Sequence, residues 1–190
     1  GARDMNMYKN LLFISTFIVT SIQANATQSF IGPVDLDQEV MCLAQNIYHE
    51  GRGEGTMGMR GIADVTINRV KSIKYPNTIC EVVQQGPVYE SWRTRRFPDL
   101  PDTDRIYNPV KGMCQFSWWC DGQNDEMSDD HSRRLAFDVA FKFMNLGLGE
   151  GLTDGADHYH ALSVTPKWSE HPEMMYVGTI NNHIVYKYYR

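Results

Sequence analysis

The chain has 190 residues, 42% of them apolar and 22% charged, with a formal net charge of −5. That length and balance describe one folded domain with a sizeable core. They exclude a disordered or low-complexity chain, and the acidic balance argues against nucleic acid as a partner.

The first 26 residues read as a leader. Lys9 precedes the apolar run LLFISTFIVTSI (residues 11–22), and Ala24-Asn25-Ala26 has the small-x-small form of a cleavage site. A charged region, a twelve-residue apolar region and a small-residue end make a secretory signal peptide, or a signal anchor if it is retained. The run is short for a bilayer span. Cleavage leaves 27–190 as the working domain. It removes Arg3, Lys9 and Asp4, so the mature chain is one unit more acidic than the whole. Export, with no stable membrane association once the signal is cut, is the expectation. Cys42, Cys80, Cys114 and Cys120 are then an even set in an oxidising compartment. Three pairings are possible. Cys42–Cys80 with Cys114–Cys120 is favoured, because the second pair closes a short loop and the first ties two helices.

Asp35 can cap a helix, with Gln38 as capping-box partner. Leu36, Val40, Leu43, Ala44 and Ile47 follow at helical spacing. That helix should end near Glu50, because Gly51 and Gly53 follow. A second helix fits Met57–Val70, with Met59, Ile62, Ala63, Thr66, Ile67 and Val70 in one stripe. Gly58 and Gly61 in it permit close packing. A short helix fits 79–84. Residues 86–112 hold four prolines and four arginines and read as a long ordered loop or lid. Ser128 caps a third long helix, 129–146, whose buried stripe is Leu135, Val139, Phe143 and Leu146, with Gly147 as its C-cap. Residues 156–164 look like a strand, and MMYVGTI-NN-HIVYKYY (174–189) like a hairpin turned at Asn181-Asn182. Helices first and a small antiparallel sheet after them make the fold class α+β.

The chemistry concentrates in NIYHEGRGEG (residues 46–55). A carboxylate at a helix C-terminus faces the negative end of the helix dipole, and apolar neighbours such as Tyr48 would desolvate it. Both raise the pKa of Glu50. A carboxylic acid that stays protonated near neutral pH can protonate the departing oxygen of a glycosidic bond. A second carboxylate, where one is needed, has candidates in Glu54, Asp64, Asp121 and Asp157. A helix-terminal glutamate before glycines is, on position alone, more often a solvated surface group, and Glu54 equally fits the favourable first turn of the next helix.

Beyond these residue-level arguments, CLAQNIYHEGRGEGTMGMRGIADVTINRVKSIKYPNTICEVV (42–83) resembles the opening motif of the SleB-type cell-wall hydrolases. The later segments CQFSWWCDG, GADHYHALSVTPKW and NNHIVYK resemble that family's later elements, in the same order. The resemblance implies a lysozyme-like fold and cleavage of the β-1,4 bond between N-acetylmuramic acid and N-acetylglucosamine in peptidoglycan glycan strands. It places the catalytic glutamate on Glu50, with Glu54 in support. It implies a lytic transglycosylase or muramidase that needs no cofactor and no metal and works as a monomer, in a phage endolysin or a bacterial wall-remodelling enzyme. Tyr48, Gln115, Ser117, Trp118, Tyr159, His160 and Trp168 become candidates for substrate contact. Phe116 is expected in the core, and Asn68 and Arg69 in structural hydrogen bonds. Two departures stand out. Residues 89–111 look like an insertion, whose Trp92, Arg93, Arg95, Arg96 and Phe97 would offer cations and stacking faces to the wall. Asp157 stands where the family often has threonine, and a second carboxylate there would favour a hydrolase. The rival class uses zinc: His158 and His160 alternate on a strand and, with His171 or His183, could hold a metal for an amidase or peptidase.

Overall fold

The computed structural model describes residues 35–189, so the leader lies outside the described residues. Helix α1 (Leu36–Gly51) starts where Asp35 accepts hydrogen bonds from the Asp37 and Gln38 N–H groups. It ends at Gly51, one residue beyond Glu50. Helix α2 (Gly55–Lys71) begins two residues earlier than its apolar stripe implied. Helix α3 (Ile79–Val83) is capped by Thr78, and α5 (Asp130–Leu146) ends on Gly147 in the left-handed conformation.

The cap of α5 is Asp129, not Ser128: Asp129 Oδ1 accepts from the Ser132 N–H at 2.6 Å. Both residue types can cap. Tyr48 also holds the observed cap, its hydroxyl accepting from the Asp129 N–H at 3.0 Å. Leu146 is likewise not part of the buried stripe, being 65% exposed. Ala136 and Ala140 take its place, small enough to let α5 lie close to α1. Helix α1 is central, packed against α2, α3 and α5. Its Leu43, Ala44, Ile47 and Tyr48 meet Met59, Ile62 and Ala63 of α2, Val82 and Val83 of α3, and Val139 and Phe143 of α5 in one apolar core. Phe116 joins it, as expected.

The chain after residue 157 forms an antiparallel sheet in the order β3–β5–β4, from β3 (His158–Ala161), β4 (Met174–Ile180) and β5 (His183–Tyr188). Strand β3 is shorter than the 156–164 segment read from sequence. The β4–β5 turn is Asn181-Asn182, with Asn181 at φ 49°. A Cβ on Gly61 would stand 3.3 Å from Ile180 Cγ2, so this glycine lets the hairpin approach α2. The expected α+β architecture is the observed one.

Residues 86–112 are a structured hairpin rather than a loop. Strand β1 (Val88–Glu90) pairs antiparallel with β2 (Tyr107–Pro109), and between them lies a short helix α4 (Trp92–Arg95). Both expected disulfides are present, Cys42–Cys80 joining α1 to α3 and Cys114–Cys120 closing a short loop. Among the described residues, no helix is long and apolar enough to cross a membrane.

Candidate active site

Glu50 sits in the last turn of α1, partly buried, where strand β3 reaches the helices. The Tyr159 hydroxyl donates to Glu50 Oε2 at 2.9 Å. Burial raises the Glu50 pKa above the ordinary carboxylate value, and the Tyr159 hydrogen bond and the Arg69 charge offset only part of that rise. Burial, and the Glu50 charge itself, lift the Tyr159 phenol well above its usual value, so it remains a donor. The rise in pKa expected from the sequence is thus present, with burial as its cause. Tyr48 is 1% exposed, with its hydroxyl between Arg52 and Asp129. It is a core anchor and offers no ring face to a sugar.

Glu54 precedes α2 and does not touch Glu50 directly. Its Oε2 accepts from the Asn182 N–H at 3.2 Å and lies 4.0 Å from His183 Nδ1. The Asn181 side chain donates to its carbonyl. His183 in turn packs edge-on against Tyr159, ring centroids 5.1 Å apart. A chain of contacts therefore runs from Glu54 through His183 and Tyr159 to Glu50. Burial lowers the His183 pKa, more than the nearby Glu54 raises it, which keeps this imidazole neutral near pH 7.

The other carboxylates named from sequence are engaged elsewhere. Asp64 is 1% exposed and accepts from the Gly151 N–H, the Thr153 N–H and the Thr153 hydroxyl at 2.6–2.9 Å. Asp121 Oδ1 accepts from the Gln123 N–H. Asp157 Oδ1 meets His158 Nδ1 at 2.8 Å and the Tyr188 N–H at 3.0 Å. Burial pushes the Asp157 pKa up, but the hydrogen bonds from His158 and Tyr188 outweigh it and leave it below the ordinary value.

Arg69 is the residue whose reach the sequence did not reveal. It is 5% exposed, and its Nε donates to the Asp157 carbonyl at 2.7 Å. Its guanidinium lies 4.8 Å from the Phe116 ring centroid and 5.5 Å from that of Tyr75. It therefore does make the structural bond expected of it, and it is also a charge that acts on Glu50. Asn68 is structural as expected, donating to Thr153 Oγ1 and the Ala156 carbonyl.

The proposed groove residues separate. Gln115 and Trp168 line one cleft of about 450 Å³, together with Tyr75, Gln85, His158 and Tyr188. Ser117 is exposed on the adjoining 3-10 turn, Ser117–Cys120. Trp118 is 7% exposed, donates to Asn46 Oδ1 and stacks on His49, so it is core. Tyr159 faces Glu50. His160, one residue on and therefore on the other side of the sheet, is 8% exposed, with Nδ1 against the Ala161 carbonyl and Nε2 against the Tyr186 hydroxyl. It packs edge-on against Trp168, ring centroids 5.6 Å apart.

Alternation keeps two histidines of the zinc reading, His158 and His160, on one face of the sheet, both against Trp168, and puts His183 on the other. His158 is tied to Asp157, His160 to Tyr186, His171 accepts from the Glu173 N–H, and His183 faces Tyr159 from the inner side. Among the described residues, no three His, Cys, Asp or Glu side chains converge to hold a metal ion.

A family model described as cell wall hydrolase matches residues 53–186, beginning three residues after Glu50. The fold is similar to the catalytic domain of the Bacillus cereus SleB protein, at 20% identity and a TM-score of 0.51, covering 85% of this chain and 99% of that one. It is equally similar to the catalytic domain of the germination-specific lytic transglycosylase SleB from Bacillus anthracis, at 22% identity and a TM-score of 0.51, covering 83% and 100%. No curated protein matches significantly. With the family model covering well over half its length, the chain belongs to the cell wall hydrolase family.

Proposed function

We propose that this enzyme cleaves the β-1,4 bond between N-acetylmuramic acid and N-acetylglucosamine in peptidoglycan, with Glu50 as its one acid and base. The observation that carries this reading is a carboxyl group with a raised pKa, held by a protonated tyrosine at a helix end. Tyr159 occupies Oε2 as a donor, which leaves the Glu50 proton on the other oxygen, free to be given. In the first half of the reaction that proton passes to the glycosidic oxygen as the bond to muramic C1 breaks. In the second half the carboxylate takes the proton of the C6 hydroxyl as that oxygen bonds to C1. The product is a 1,6-anhydro end, no water is consumed, and Glu50 returns to its acid form.

A single-carboxyl scheme is favoured over a two-carboxylate hydrolase because Glu54, Asp64, Asp121 and Asp157 each have structural hydrogen-bond partners. The transglycosylase named in the comparison above supports the same choice at the level of fold. The reading includes export to the wall compartment, where two disulfides are stable.

Glu50→Gln should abolish lysis of purified sacculi, by about a thousandfold or more, while the circular dichroism spectrum stays unchanged. Mass spectrometry of digested sacculi then separates the chemistries. Glycan ends lighter by one water support the transglycosylase, ordinary reducing ends a muramidase, and free stem peptides an amidase.

A further inference from the structure

The hairpin of residues 86–112 presents large apolar side chains at its surface. Among the described residues, neither of the two apolar clusters takes a member from it. Its framework is polar instead. The Arg105 guanidinium pairs with Glu90 at 2.7 Å, both side chains largely covered, and also donates to the Pro98 carbonyl. The Ser91 N–H donates to the Ile106 carbonyl at 2.7 Å, and the Ile106 N–H to Thr94 Oγ1 at 3.3 Å. Ser91 and Thr94 are buried, whereas Tyr89 is 55% exposed, Trp92 63% and Phe97 50%. Rings displayed on a satisfied polar frame mark a binding surface.

Tyr89, Ser91, Trp92, Arg93, Ile106 and Asn108 line a cleft of about 400 Å³. It shares no residue with the cleft of Gln115 and Trp168. Tyr89 and Asn108 are cross-strand partners and so present ring and amide side by side. The Arg96 guanidinium stacks on both Trp92 and Phe97, 5.5 and 4.9 Å from their ring centroids, and Arg93 lies 6.0 Å from Trp92. These contacts hold the indole while leaving N–H donors free. A bilayer would favour a continuous apolar face, and a protein partner a dry core. Ring faces interleaved with hydroxyl, amide and guanidinium groups suit a ligand that is itself amphipathic at each unit: a sugar, with one C–H face and a rim of hydroxyl and acetamido groups.

We propose that this hairpin is a second glycan-binding site, which holds a stretch of peptidoglycan strand outside the catalytic groove. The proposal rests on peptidoglycan as the substrate but not on the role of Glu50. It makes the enzyme a sacculus binder as well as a sacculus cutter, with Trp92 and Tyr89 as stacking platforms and Arg93 and Asn108 as hydrogen-bond donors.

The test is co-sedimentation of the Glu50→Gln protein with purified sacculi, on ice, with and without Trp92→Ala and Tyr89→Ala. The double change should weaken binding by about tenfold or more, and Trp92→Phe, which keeps a ring, should restore most of it. In the chain with Glu50 intact, the double change should slow lysis of sacculi but leave turnover of short soluble glycan fragments unaltered. Both rings are exposed and outside the apolar core, so melting temperature should move little. Unchanged sacculus binding would overturn the proposal. So would weakened binding to phosphatidylglycerol vesicles with sacculus binding intact. Persistent lysis by Glu50→Gln would sink the catalytic reading alone, and an unaffected sedimentation would sink only this one.

Discussion

Glu50 is poised by opposing effects within one side chain's reach. Burial disfavours its charge, while Tyr159 and Arg69 favour it, and burial wins. Removing the Tyr159 hydroxyl removes one of the two opposing effects. Tyr159→Phe should therefore raise the Glu50 pKa further and move the alkaline limb of the kcat/KM profile to higher pH, alongside a lower kcat. An unshifted limb would mean that a different group titrates. The sign for stability follows from the same residue. Its folded pKa lies above its unfolded value, so its contribution is complete below the unfolded value and is lost as pH rises through the folded one. Glu50→Gln should thus be as stable as the parent at pH 4, and more stable at pH 8, in parallel urea melts. At this scale Glu50 was legible in the sequence, since helix periodicity and glycine spacing alone place it at a helix end. Tyr159 was legible only as a candidate for the groove. Its bond to Glu50 spans 109 residues of chain, and no local pattern encodes it.

Among the elements, α1 carries the greatest burden, because it presents Glu50 and is packed on three sides. The Cys42–Cys80 bridge, 38 residues apart in sequence, ties it to α3. Loop-closure entropy assigns that bridge about 4 kcal/mol, against about 2 kcal/mol for Cys114–Cys120, whose cysteines are 6 apart. Replacing Cys42 and Cys80 by alanine should lower the melting temperature more than the same change at Cys114 and Cys120, in calorimetry of the two variants. The Asp35 cap, the Gly147 end of α5 and the Asn181-Asn182 turn could be read locally because they depend on neighbours within a few residues, whereas the α5 cap fell on Asp129 rather than Ser128. The 86–112 hairpin could not. Its prolines and arginines read as a loop, because strands β1 and β2 have three residues each and offer no alternation to see.

A polar seam on α2 is one of the contacts that join the helical part to the sheet. Asp64, Asn68 and Arg69 between them bind Gly151, Thr153, Ala156 and Asp157, the segment that leads into β3. Tyr159 reaches Glu50 only if that seam holds. Asp64→Ala would strand the Gly151 and Thr153 N–H groups and the Thr153 hydroxyl, at a cost of about 3 kcal/mol or more, and should reduce activity along with the urea midpoint. Asp157 adds acid sensitivity. Its folded pKa lies below the unfolded value, so its contribution is present above the unfolded value and is lost as pH falls through the folded one. The sequence by itself determined the α+β class, the helix that ends near Glu50, the favoured cysteine pairs and, through several ordered motifs, the family. These follow from periodicity, special backbone residues and spacing, all of which are properties of the chain in one dimension. Tertiary structure alone decided which aromatic meets Glu50, that Tyr48, Trp118 and His160 are packing residues, that no three metal-binding side chains converge among the described residues, and that the hairpin turns its rings outward. Side-chain exposure and direction are set by contacts between segments far apart in sequence, and those contacts exist only once the chain has folded.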